Sequence, residues 1–236
     1  MFYLKLVFNE IFYRPLLGAL VFLTSILPGH DLGLAVILLT VFIRVLTFPM
    51  THNMLKTQNA MKRIEPDVKK IYAEKKTKEE QTKALMELYR VHGINPLAGF
   101  VMLIVQLPLL IALYQVFWQG IPFKAGEVYA FLDISVPVNT MFLGFISLTE
   151  ASVLLAVLAA ASQFLQAKLA VVSGGGAEAK KDMQRAMQFQ MVYFFPILVF
   201  FIAFKLPAAV SLYWTAMNVF AIVHEAVVRR RALQNG

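Results

Sequence analysis

Five stretches of this chain are apolar almost without a break: Leu32–Met50, Leu97–Trp118, Ala151–Val172, Met187–Phe204 and Leu206–Val228. A helix rises about 1.5 Å per residue, so about 20 apolar residues cross a hydrocarbon layer of about 30 Å. Each stretch is therefore predicted to be a membrane-spanning helix. The last two are separated only by a turn around Lys205 and Pro207 and read as an antiparallel helical hairpin.

Between the first two runs the pattern changes. Segment 52–95 is polar, with Met54, Met61, Ile64, Val68 and Ile71 forming one apolar stripe on an otherwise charged helix. Pro66 is expected to bend or restart that helix. Thr77-Lys78-Glu79-Glu80 has the form of a capping box, which starts a second helix running to about His92 with Gly93 as its stop. Leu85, Leu88 and Tyr89 give this second helix a narrow apolar face. Residues 2–28 are apolar but interrupted by Lys5, Glu10, Arg14 and Pro15, leaving only Leu16–Leu27 free of charge. That stretch is short for a span. It reads either as an amphipathic helix on the outer membrane surface or as a sixth span with its N-terminus inside.

Composition agrees with a membrane protein. Of the 236 residues, 59% are hydrophobic and 15% charged, at a mean hydropathy of +0.66, too little charge to cover a soluble domain of this size. The absence of cysteine excludes disulfides and thiolate metal sites. The net charge of +8 acquires meaning from its distribution. Segment 52–95 holds ten Lys and Arg, the 173–186 loop adds Lys180, Lys181 and Arg185, and the tail ends in Arg229, Arg230 and Arg231. By contrast, 119–150 has only Lys124 and the 204–207 turn only Lys205. Basic loops stay on the cytoplasmic side. The alternation puts 52–95, 173–186 and the C-terminus in the cytoplasm and the start of Leu32–Met50 outside. Six acids intersperse the ten bases of 52–95, which argues against a specific nucleic-acid surface.

Arg44 is the only charge in the first span. An arginine inside a span costs about 2.5–3.5 kcal/mol on insertion scales, so its presence asks for a reason. Thr40, Arg44, Thr47 and Thr51 share one helical face. Ser152, Gln163 and Gln166 share another, Ser211, Trp214, Thr215 and Asn218 a third, and Gln106 sits in the middle of Leu97–Trp118. Lipid satisfies none of these groups, so they are expected to face one another or water. Two blander readings stand beside this one: the uncharged groups glue helices together, and Arg44 snorkels to the headgroups. No acid is expected within a span to pair with Arg44, which points to a water-filled cavity. The four histidines (His30, His52, His92 and His224) show no metal-ligand spacing, and no nucleophile elbow, phosphate loop or zinc-protease motif occurs. No enzyme chemistry, cofactor or metal is expected.

Ordered motifs complete the picture. Arg44 precedes Thr47-Phe48-Pro49-Met50; Met61-Lys62-Arg63-Ile64-Glu65-Pro66 follows; then Leu88-Tyr89 through Gly93-Ile94-Asn95-Pro96-Leu97. Gln106-Leu107-Pro108, Ala112-Leu113-Tyr114, and Leu206-Pro207-Ala208-Ala209 leading to Leu212-Tyr213-Trp214 close the set. In this order the chain resembles the YidC insertases of bacterial inner membranes and their organellar relatives, over about residues 9–228. The resemblance implies an all-α integral membrane protein, a five-span helical bundle with a cytoplasmic helical hairpin and an N-terminal interfacial helix. It implies a hydrophilic groove open to cytoplasm and lipid that receives nascent membrane proteins, with the conserved arginine at Arg44 and further groove positions at Gln163 (less well Gln166) and Trp214. The expected groove set is Arg44, Thr40, Thr47, Gln106, Gln163, Gln166, Trp214 and Asn218. Met54, Met61, Leu85 and Leu88 of the hairpin are expected either to capture clients or to belong to a mere solvated connector.

The expected organisation is an interfacial helix at 1–30, a first span at 31–51, the hairpin at 52–95, four spans within 96–228, and a short basic tail at 229–236. The bacterial inner membrane is the expected location, with the C-terminus cytoplasmic and the N-terminus extracytoplasmic. Ribosome and Sec translocon are candidate partners, although the chain is expected to lack both the large extracytoplasmic domain of Gram-negative relatives and the long basic tail that helps some members hold ribosomes. A small-solute or anion transporter using Arg44 as its binding site is the alternative function.

Overall fold

The computed structural model describes residues 2–74, 77–95, 98–119, 128–129, 137–170 and 189–234. Almost all of these are helical. Helix α1 (Phe2–Phe8) runs through a π-turn at Asn9–Tyr13 into α2 (Arg14–Ile26), and a short 3-10 turn at Pro28–His30 leads to α3 (Leu32–Leu46). Helices α4 (Phe48–Arg63), α5 (Glu65–Glu74) and α6 (Lys78–Val91) follow, then α7 (Ala98–Gln119) and α8 (Val153–Ala170). A π-turn at Gln190–Phe194 opens α9 (Phe195–Ala203), and α10 (Ala208–Gln234) ends the chain.

The local signals read from the sequence reappear as geometry. Thr77 and Glu80 form a capping box, the Thr77 hydroxyl accepting from the Glu80 N–H at 3.2 Å. Gly93 closes α6 with a φ of 62°, which a side chain would oppose. The Ile94 N–H donates to the Tyr89 carbonyl and the Gly93 N–H to that of Arg90, the Schellman pattern. Pro207 precedes α10, whose first N–H groups, at Ala208 and Ala209, donate to the carbonyls of Glu150 and Leu148. Helix N-termini leave such donors unmatched inside the helix. Here the 148–150 segment supplies the acceptors.

Several boundaries differ from expectation. The first span does not run straight to Met50: α3 ends at Leu46, and the chain bends by 65° into α4. Pro49 has no N–H to give to the ladder, so the helix breaks around Thr47. The restart expected at Pro66 falls at Ile64, with Pro66 tolerated in the first turn of α5. The basic tail is no separate element, since α10 continues to Gln234. The 119–150 connection is also not wholly irregular. Met141–Phe142 pairs antiparallel with Ile146–Ser147 across a turn in which Leu143 and Gly144 both take positive φ.

Five spans were expected. By length and composition, two described helices are long and apolar enough to cross a membrane, Lys5–Ile26 and Val153–Ala170, and a third if the bent pair of α3 and α4 counts as one. Gln106–Trp118 and Gln190–Ala203 are shorter apolar helices, and α10 combines a polar row with a basic end, which dilutes its hydropathy. Helix α2 packs along α3, burying Leu16, Leu17, Leu20 and Val21 in the main core with Leu32, Ala35, Val36 and Leu39. Helices α8 and α9 pack together, and α10 lies against α8 and α3. The outward faces are as apolar as the core: Leu38, Phe42, Val45, Leu154, Val157, Ile197 and Phe201 are all exposed. Apolar surface this extensive marks contact with lipid or protein.

The small β-hairpin is tied into the bundle. Leu32 N–H donates to the Asn139 carbonyl and Asn139 N–H to that of His30. Phe142 lies over Gly33, where an added Cβ would overlap the ring. Gly33→Ala is therefore expected to force Phe142 or α3 aside and cost about 1–3 kcal/mol. Thermal unfolding in detergent checks it, and a midpoint equal to wild type would show that the ring yields freely.

Candidate functional site

A cavity of about 290 Å³ lies among α3, α4, α7, α8 and α10. Of the expected groove residues, Arg44, Gln106, Gln163, Gln166, Trp214 and Asn218 line it, joined by Thr51, Met54, Leu55, Met217, His224 and Glu225. The polar groups come from helices far apart in sequence and are satisfied across the seams. The Trp214 Nε1–H donates to Gln163 Oε1 at 3.0 Å. Asn218 Nδ2 donates to the Ser162 hydroxyl at 3.1 Å, and that hydroxyl in turn donates to the Ala159 carbonyl. Gln106 Nε2 lies 3.3 Å from the Tyr213 hydroxyl. The guanidinium of Arg44 reaches α10, where Nη2 is 3.4 Å from the Met217 carbonyl.

Two expected members are absent from this lining. Thr40 is 1% exposed and its hydroxyl donates to the Val36 carbonyl, while the Thr47 hydroxyl donates to that of Ile43. Hydroxyls on a helix readily bond back to the preceding turn. Sharing a face with Arg44 therefore does not bring either into the cavity. Ser152 likewise leaves the predicted stripe, its Oγ accepting from the Leu155 N–H at the start of α8.

The hairpin residues separate in a similar way. Met54 lines the cavity, whereas Met61 lies farther along α4, half-buried. Helix α6 packs on α5; Leu85 and Leu88 are half-buried, while Met86 and Val91 are exposed. The Tyr89 phenol pKa is raised by burial and by the nearby Tyr72. Leu85 and Leu88 are thus partly committed to the hairpin itself. The 173–186 loop falls outside the described residues.

Sequence reasoning overlooked the C-terminal half of α10. The expectation that no acid lies within a span fails at Glu225, which is 3% exposed and lines the same cavity as Arg44. Near it, His52 of α4 and His224 of α10 meet with Nδ1 and Nε2 3.3 Å apart. Their ring centroids are 5.6 Å apart and their planes differ by 13°, so the rings meet edge to edge in an N–H···N contact. Phe48 stacks on His224 with centroids 4.6 Å apart. This cluster fastens α4 to α10 just past the bend. No periodicity within α4 or α10 reveals it, because the two histidines are 172 residues apart. Among the described residues, no group of three or more His, Cys, Asp or Glu is placed to hold a metal.

Known proteins share this architecture. "Membrane protein insertase YidC 2" of Bacillus anthracis is 29% identical over 229 residues, covering 94% of this chain and 81% of its own. "Membrane protein insertase MisCA" of Bacillus subtilis is 29% identical, covering 90% of this chain and 76% of its own. A crystal structure of an active YidC insertase superimposes with a TM-score of 0.58 at 23% identity, covering 89% of this chain and 45% of that one, a likeness of fold. A family model described as 60Kd inner membrane protein matches residues 22–235. The match begins within α2 and takes in every later helix, and the chain belongs to the 60Kd inner membrane protein family.

Proposed function

We propose that this chain is a membrane protein insertase that moves client transmembrane segments, with their short polar tails, from the cytoplasm into the bilayer. The names of its relatives support the activity. The observation that carries the mechanism is a cavity that brings Arg44, Gln106, Gln163 and Asn218 together inside a bundle whose outer faces are apolar. A client span of about 20 apolar residues already favours lipid, by about 0.3–0.6 kcal/mol per Leu-like residue. The barrier is the polar tail, whose backbone groups have no partners in hydrocarbon. A wetted cavity reaching partway across shortens that dry path. In this reading Arg44 holds an acidic tail, the amides keep the pocket hydrated, and Met54 at the mouth meets the incoming chain.

The proposed orientation keeps 52–95 and the C-terminus in the cytoplasm. The unbroken helix through Ile26 and its packing on α3 support the spanning alternative for the N-terminal segment, which places residue 2 on the cytoplasmic side as well. Nascent membrane proteins are the proposed clients, and the ribosome and Sec translocon remain candidate partners.

Reconstitution tests the reading. Vesicles containing only this protein are expected to protect the tail of a single-span client from external protease more rapidly than protein-free vesicles do. Anion uptake without any gain in tail protection would instead favour a transporter using Arg44. No feature of the site favours that alternative, since the described spans show no internal repeat of polar stations.

A further inference from the structure

We infer that Glu225 reads the basic flank of the client, and so makes insertion depend on the client's charge polarity. The inference rests on the insertase reading. Glu225 is the one acid among the described residues that line the cavity, and Arg44 is the basic group set inside it. The two stand at different depths. Arg44 reaches the Met217 carbonyl, and Glu225 lies eight residues farther along α10. Eight helical residues rise about 12 Å. Glu225 follows His224, whose ring meets His52 where α4 is fastened to α10, at the end of the cavity that the proposed topology makes the cytoplasmic mouth.

The cavity therefore has a charge sequence, acid at the mouth and base within. An acidic tail entering it moves toward Arg44. The trailing flank of a correctly oriented client is basic, because Lys and Arg mark the cytoplasmic ends of spans. That flank comes to rest at the mouth as the span leaves sideways, where a carboxylate favours it. The two oxygens of a carboxylate offer about four acceptor positions, so a Glu225 engaged within the protein still has room for an ammonium or guanidinium. Its near-complete burial weakens screening by salt relative to an exposed acid. A client with the opposite polarity, acid behind and base ahead, meets an unfavourable charge at both depths.

The experiment uses the full chain in vesicles and two clients that share one acidic tail and one span, differing only in a trailing flank of lysines or glutamines. Wild type is expected to insert the lysine-flanked client about two- to five-fold faster, on the order of what one weak ion pair contributes. Glu225→Gln should bring the rates of the two clients together, and Glu225→Asp should keep them apart. Glu225→Lys should prefer a client with a glutamate flank, a reversal that loss of folding cannot mimic. An unchanged flank preference in Glu225→Gln and Glu225→Lys overturns the inference and leaves the insertase reading standing. Failure of wild type to insert either client overturns the insertase reading itself.

Discussion

Cells depleted of the native insertase and supplied with Arg44→Glu are expected to translocate no acidic client tail, whereas Arg44→Lys retains part of the activity. The guanidinium extends from α3 into the cavity toward the Met217 carbonyl, so it stands where a tail carboxylate would arrive. A hydrogen bond to a charged group contributes about 1.5–3 kcal/mol, equivalent to about 10- to 100-fold in rate if it forms at the barrier. Arg44→Ala loses that contribution. Arg44→Glu adds repulsion to the loss and should be the poorest of the three. Lysine keeps the charge but not the planar fork that pairs with both oxygens of a carboxylate. Protease protection of the tail, followed over time, ranks the variants. A client whose tail carries no acid serves as the control and should discriminate far less. Equal rates for Lys, Ala and Glu would remove Arg44 from the mechanism.

Gln163→Leu is expected to be the most damaging uncharged substitution in the cavity. It removes the acceptor of the Trp214 indole N–H, which is otherwise enclosed between α8 and α10, Trp214 being 8% exposed. A buried donor left without a partner costs about 1–3 kcal/mol. Trp214→Phe removes the donor from the other side. In the double variant neither polar group remains, so its loss should be smaller than the sum of the single losses. Unfolding in detergent, compared across the four proteins, measures that coupling. Additive losses would show that the indole finds water in place of Gln163. Insertion should slow in all three variants, because each makes the pocket less able to hold water beside the client.

The sequence by itself determined what depends on near neighbours along the chain. The capping box at Thr77 and Glu80, the stop at Gly93 and the turn before Ala208 all express interactions within a few residues, and all appear in the structure. Helical spacing also showed which polar residues share a face, and Gln163, Trp214 and Asn218 do line one cavity. The same spacing misassigned Thr40 and Thr47. A hydroxyl chooses between a distant partner and the carbonyl one turn back, and both bond within their own helix.

What the sequence could not decide is which faces meet. That choice belongs to tertiary packing, where residues far apart along the chain become neighbours. The 65° bend at Thr47 swings α4 against α10, brings His52 to His224, and places Thr51, Met54 and Leu55 along the mouth. The packing of α10 likewise puts Glu225, which falls inside the apolar run Leu206–Val228, into the wall of the cavity that Arg44 also lines. Periodicity specifies the orientation of a side chain about its own helix axis, but not what stands across from it. The charge pattern of the cavity arises from that second relation, and only the packed bundle decides it.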